Sequence, residues 1–281
     1  MLRSLRDLEK YTIRATDDDI GRVRDFYFDD STWVIRYLIV DTSAWLPNRK
    51  VLISPISIGR PDWGQKILPV KITQQQVKDS PDIDTDKPVS RQHEMNYLGY
   101  YGYPYYWGGS GLWGGGAYPY SMLRKMGDDT ADDSYQSLSA KREQELSNSD
   151  KDQHEDPHLR SCKEVAGYHI EANDGDIGHV HDMLVDERTW AIRYIVINTS
   201  NWFGSHQVLI VPEWIRHISW SDHMVEVEVE VNLTRQQVKD APLYDPEVAF
   251  SRQEEESIYR HYGRNGYWNS TPEDQARPPS R

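Results

Sequence analysis

The chain has 281 residues, with 45 acidic side chains against 32 basic ones and a formal net charge of −13. That balance disfavours nucleic-acid recognition, which relies on clustered Lys and Arg to neutralise phosphate. Its single cysteine, Cys162, excludes an intramolecular disulfide and a cysteine-based zinc site.

The opening residues MLRSLRDLEKY lack the apolar core of a signal peptide. No stretch approaches the roughly 18 to 20 apolar residues of a membrane span. A cytoplasmic location follows as the expectation. From Asp19 the pattern is β. Gly21 closes the acidic Asp17-Asp18-Asp19 turn, and Arg22 to Asp29 reads as a strand. Asp29-Asp30-Ser31 is a hairpin turn, and Trp33 to Val40 is rich in the aromatic and β-branched residues of a buried strand. Val51 to Ile53 is a short third strand ended by Pro55, and Ile67 to Ile72 is a late one. Thr73 with Gln76 three positions on is a capping box, so a short helix follows, stopped at Asp79-Ser80-Pro81.

The whole pattern then recurs. DIGRVRDFYFDDSTWVIRYLIVDTSAWL from Asp19 is matched by DIGHVHDMLVDERTWAIRYIVINTSNWF from Asp176, an offset of 157 that holds through Pro55 and Pro212. TQQQVKDSP from Thr73 is matched by TRQQVKDAP from Thr234 at an offset of 161, which also pairs Ser90-Arg91-Gln92 with Ser251-Arg252-Gln253 and Tyr101-Gly102 with Tyr262-Gly263. A period this long is domain duplication rather than a solenoid. Val225 to Val231 alternates as VEVEVEV and reads as a strand with one apolar and one carboxylate face. Between the copies, Tyr97 to Tyr120 is low-complexity Gly, Tyr and Trp, and Leu123 to His158 is polar with an acidic excess. The second stretch has too little apolar content to offset chain entropy.

Groups that invite chemistry have simpler readings. Asp17 to Asp19 and Asn173-Asp174-Gly175-Asp176 do not continue into a calcium-loop ligand pattern and read as turns. His179 and His181 would share a strand face, but their counterparts Arg22 and Arg24 cannot bind a metal. Asp25 and Asp182 recur mid-strand, where they can accept hydrogen bonds from a turn or from Arg36 and Arg193. No nucleophile motif or phosphate cradle stands beside them, so no catalytic residue, cofactor or metal is expected. Trp33, Tyr37, Trp190 and Tyr194 alternate with aliphatics and read as core. Tyr100, Tyr101, Tyr105, Tyr106, Trp107 and Trp113 lie among glycines and are the expected partner contacts.

The Asp-Ile-Gly turn, the Trp-x-Ile-Arg-Tyr strand and the Val-Leu-Ile-x-Pro strand together resemble the PRC-barrel family, over roughly Leu5 to Tyr101 and Leu159 to Tyr262. That family's fold is a small, strongly curved β-barrel. It is known from the cytoplasmic part of the photosynthetic reaction-centre H subunit and from a ribosomal-RNA maturation factor. The resemblance implies an all-β bacterial protein of two tandem small β-barrels, each followed by a short helix. The expected divisions are a first barrel at 1–98, a flexible linker at 99–157, a second barrel at 158–265 and a disordered tail at 266–281. The expected function is a non-enzymatic protein-interaction module whose barrels pack as an intramolecular pseudo-dimer. The alternatives are a reaction-centre-H-like protein tuning electron or proton transfer at a membrane complex, with peripheral membrane association, and a small-molecule or metal-binding module.

Overall fold

The computed structural model describes residues 1–47, 49–82, 89–107, 109–124, 158–199, 206–218 and 228–269. The first copy contributes β1 (Leu2–Ser4), α1 (Leu5–Leu8), β2 (Thr12–Arg14), β3 (Asp19–Asp29), β4 (Val34–Asp41), β5 (Lys50–Ile53) and β6 (Ile67–Pro69). They are followed by α2 (Gln74–Lys78), α3 (Arg91–Tyr101) and α4 (Tyr120–Arg124). The second copy repeats them as β7 (Leu159–Ser161), α5 (Cys162–Val165), β8 (His169–Ala172), β9 (Gly175–Asp186), β10 (Ile192–Asn198) and β11 (Gln207–Ile210). It ends with β12 (Ile215–Ile218), β13 (Glu228–Val231), α6 (Arg235–Lys239) and α7 (Arg252–His261).

Two mixed sheets result, in the orders β5–β4–β3–β2–β6 and β11–β10–β9–β8–β13–β12. Each has one parallel pair, β2 with β6 and β8 with β13, among antiparallel ones. Among the described residues the end strands do not pair with each other, so the expected closed barrels are open mixed sheets. After β5 and β11 the chain leaves the sheet in a 3-10 turn that begins at Pro55 or Pro212, a residue with no N–H to give to a ladder. No helix among the described residues is long and apolar enough to cross a membrane.

The glycine of Asp-Ile-Gly has a physical cause. Gly21 (φ +155°) passes so close to the end of β4 that a Cβ would lie 1.9 Å from the Asp41 carbonyl oxygen. Gly178 (φ +126°) repeats this at 2.1 Å from Asn198, so only a residue without Cβ fits. The acidic turns before them cap helices: Asp17 accepts from the Gln74 N–H, and Asp174 from the Arg235 N–H. Both expected capping boxes are present.

Four expectations need correction. Trp33 and Trp190 do not begin strands. They hold left-handed backbone at φ 55° and 60° in the hairpin turns, where their N–H groups bond the Asp29 and Asp186 carbonyls. Their rings still bury, and Trp33 stacks on Phe28 at 5.1 Å. The boundary at 98/99 falls inside α3, which runs on to a left-handed Gly102 cap. Residues 109–124 form turns and α4 rather than flexible linker, while 125–157 lie outside the described residues. Of the expected tail at 266–281, Tyr267–Asn269 forms a 3-10 turn, while 270–281 lie outside the described residues.

The sheets exchange strands. Beyond its pairing with β2, β3 has spare length, and β7 of the second copy occupies it: Tyr27 lies opposite Ser161 and Asp29 opposite Leu159. In return β1 pairs β9, with Ser4 opposite Leu184 and Leu2 opposite Asp186. These are the same register positions under the 157 offset. Each copy's first strand therefore completes the other copy's sheet.

Candidate functional site at the seam between the halves

Val34 and its repeat counterpart Ala191 form an antiparallel bridge with each other. Flanking bonds are reciprocal: the Ile35 N–H donates to the Trp190 carbonyl and the Ile192 N–H to the Trp33 carbonyl, both at 2.8 Å. A local two-fold relation runs through this point.

On either side of it a buried carboxylate receives the other copy's helix. Asp182 accepts from Ser4 Oγ at 2.5 Å and from the Arg6 N–H at 3.2 Å. Asp25 accepts from Ser161 Oγ at 2.6 Å and from the Lys163 N–H at 3.1 Å. Ser4 and Ser161 are also the N-caps of α1 and α5, so each serine satisfies its own helix and the other sheet at once. Of the expected donors, a turn or Arg36 and Arg193, the guanidinium groups are not the ones used: the donors are the capping serine and a helix N–H of the other copy. Burial raises both carboxyls above their ordinary value, and the hydrogen bonds recover only part of that shift.

A cleft of about 330 Å³ opens beside the Asp182 junction. Arg6, Glu9, Lys163, His179 and His181 line it together with Cys162. Arg6 Nη1 donates to His181 Nε2 at 2.7 Å. Burial, then the Arg6 charge, lowers the His181 pKa. Burial raises the Glu9 carboxyl, and it pushes the Cys162 thiol well up, with nearby carboxylates adding to the effect. Such a thiol is a poor nucleophile. Among the described residues no three His, Cys, Asp or Glu side chains converge as metal ligands.

The expected aromatic contacts form a second feature. Tyr106 is 3% exposed and Trp113 is fully buried, so these two face inward rather than toward a partner. The cause is Arg36, buried at 2% exposure, whose guanidinium lies 3.9 Å from the Tyr106 ring and 4.9 Å from that of Trp113. Its Nη1 donates to the Leu112 carbonyl, and its Nη2 to Asp29 and Thr32. Burial acts to raise the Asp29 carboxyl, but Arg36 and Ser31 outweigh it and hold it below the ordinary value. Beside this pair, Glu94 is wholly buried and accepts from Tyr37, Tyr106 and Arg91, with His158 Nε2 at 2.7 Å. Trp113 Nε1 then crosses the seam to the Thr189 carbonyl at 2.8 Å. Tyr105 and Trp107 are half-buried against each other, and Tyr101 is half-buried between Tyr97 and Tyr103. Only Tyr100, 40% exposed, stays open, and its hydroxyl bonds the Gln76 carbonyl. Tyr37 on β4 and Tyr194 on β10 are fully buried.

Sequence reading missed that this brace has a partial copy. Tyr106-Trp107 correspond to Tyr267-Trp268 at the same 161 offset, and Arg193 lies 4.4 Å from the Tyr267 ring. The offset could have revealed it, but low-complexity composition hid the match.

Comparison with known proteins bears on the first half. An uncharacterized protein of Deinococcus radiodurans is 35% identical over 75 residues, a region spanning 27% of this chain and 27% of that protein. With β1 to β6 and α2 in place, residues 2–77 match the PRC-barrel domain.

Proposed function

We propose that this chain is a non-enzymatic protein-interaction module in which two PRC-barrel-like halves, interlocked as an intramolecular pseudo-dimer, present one rigid surface to a protein partner in the bacterial cytoplasm. One observation carries the reading: the recurring mid-strand carboxylates and the buried Glu94 and Arg36 are engaged in joining the halves and bracing the aromatic segment. Asp25 and Asp182 each receive the opposite helix, and Glu94 and Arg36 anchor the aromatic brace. A scaffold spends its polar groups in this way, whereas a catalytic site keeps them open to substrate. The test is affinity capture from the native cell with the full chain as bait. A protein recovered in near-stoichiometric amount is expected, and consistent recovery of none counts against the module.

A second reading has its own support. Glu9, Asp25, Asp182 and Glu164 all have carboxyls raised by burial around the seam, a set suited to passing protons as in a reaction-centre-H-like protein. Co-fractionation with photosynthetic membranes would favour it, and recovery only in the soluble fraction would favour the interaction module.

A further inference from the structure

We propose that the face formed by Arg193, Tyr267 and Trp268 is a docking site for a glycine-flanked Leu-Trp loop of a partner protein, an assignment that rests on the interaction-module reading. The first half supplies the template. There the brace has two layers. The lower one is Arg36 over Tyr106 and Arg91 over Trp107, the latter at 4.2 Å, with the Tyr106 hydroxyl on Glu94. The upper one is the Leu112-Trp113 loop: its carbonyl takes a hydrogen bond from Arg36, its indole lies over the guanidinium, and its Nε1 bonds the Thr189 carbonyl across the seam.

The second half rebuilds the lower layer. Arg193 lies over Tyr267 at 4.4 Å, Arg252 over Trp268 at 4.3 Å, and the Tyr267 hydroxyl donates to Glu255 at 3.1 Å. Among the described residues nothing corresponds to Leu112-Trp113. The Nε of both Arg36 and Arg193 lacks a hydrogen-bond partner among the described residues, but the Nη atoms of Arg36 bond the Leu112 carbonyl, Asp29 and Thr32, and the Leu112 bond has no counterpart there. Arg193, Tyr267 and Trp268 remain half-buried where Arg36 and Tyr106 are closed off.

The occupant follows from this chemistry. It needs a backbone carbonyl for the guanidinium and an indole to cover it, with glycines on either side so that the backbone can approach. Cβ atoms at Gly109 and Gly111 would lie 2.2 and 2.5 Å from the Gly114 and Gly116 carbonyl oxygens, so the loop that presents Trp113 depends on glycine. No second glycine-flanked Leu-Trp pair occurs in residues 1–281, and Leu112-Trp113 is already used at home, so the loop is assigned to a partner protein.

The test titrates a labelled Gly-Ser-Gly-Leu-Trp-Gly-Gly-Gly peptide, the sequence of residues 109–116, into the full-length chain and reads fluorescence anisotropy. Saturable one-to-one binding is expected, weakened at least about tenfold by Arg193→Gln, by Trp268→Ala and by replacing the peptide tryptophan with alanine. Circular dichroism and thermal melts establish that each variant is folded, and Trp268→Ala decides the matter if Arg193→Gln is not. No binding up to about 1 mM, or equal binding to both folded variants, overturns the site. Binding that emerges only when residues 270–281 are removed makes the chain's own tail the occupant and overturns it too. Self-association that depends on Arg193 makes a second copy the occupant, with the same consequence. Capture of the same stoichiometric protein by wild-type and Arg193→Gln chains would overturn this site and leave the module reading standing. Peptide binding without any captured protein would count against the module alone.

Discussion

Val34 and Ala191 hold the same position in the two copies of the repeat, and they pair with each other. A bridge between equivalent residues places a local two-fold relation between the halves. Two further reciprocal pairings, β1 on β9 and β7 on β3, lie on either side. The halves are thereby joined through backbone hydrogen bonds and not only through side-chain packing.

This connection sets what core mutations do. Trp33→Ala and Trp190→Ala each remove an indole that is at most 6% exposed, at an expected cost of roughly 3–5 kcal/mol. Because each tryptophan carbonyl bonds the opposite half, either mutation should lower one common melting transition. Calorimetry resolving two transitions, with only one displaced, would show that the halves melt independently.

The buried seam carboxylates give a pH dependence with a definite sign. Burial raises the folded-state pKa of Asp25 and Asp182 above the ordinary value of 3.8. Between that value and the raised one, the folded chain binds protons more tightly than the unfolded chain. This contribution is therefore fully present at low pH and is lost as pH rises through the raised pKa. An Asp25→Asn, Asp182→Asn double variant lacks this dependence. The melting temperature of wild type minus that of the variant should rise as pH is lowered from neutral toward 3.8. A difference that shrinks on acidification would show that the carboxylates are stabilised as anions.

Gly21→Ala and Gly178→Ala each force a Cβ onto a backbone oxygen at about 2 Å. Backbone cannot swing aside as a side chain can, so the loss should reach about 1–3 kcal/mol or more. Denaturant midpoints measure it, and unchanged midpoints would mean that the ends of β4 and β10 do not approach these glycines.

Trp113→Ala removes a fully buried indole and its bond to the Thr189 carbonyl. The expected cost is about 3–5 kcal/mol, with cleavage within residues 103–119 by an added protease becoming fast. Trp113→Phe keeps part of the packing and loses the bond and the indole's second ring, so it should cost less than Trp113→Ala, about 1–3 kcal/mol. Equal resistance of all three chains would place the loop away from Arg36.

The sequence made the repeat, the hairpins and both capping boxes legible, because each is a local pattern. It also marked Asp25 and Asp182 as structural, with a turn or Arg36 and Arg193 as donors, but not the opposite helix. Their donors come from the other copy, and nothing near either aspartate specifies that. The tripeptide Leu2-Arg3-Ser4 recurs as Leu159-Arg160-Ser161, yet a three-residue strand satisfies the edge of either sheet equally well. The aromatic segment looked loose because glycines make ordering costly. What offsets that cost is Arg36, a charge buried far upstream that needs covering. Composition within the segment carries no sign of it.

The reciprocal exchange of β1 and β7 is the central claim, and cutting the chain tests it most directly. A specific protease site is inserted between residues 125 and 157 of the full chain, cleaved under native conditions, and the product is examined by analytical ultracentrifugation. The account predicts that the two fragments sediment together at the mass of the intact chain and separate only on unfolding. Two independent folded monomers with no affinity for each other would contradict it.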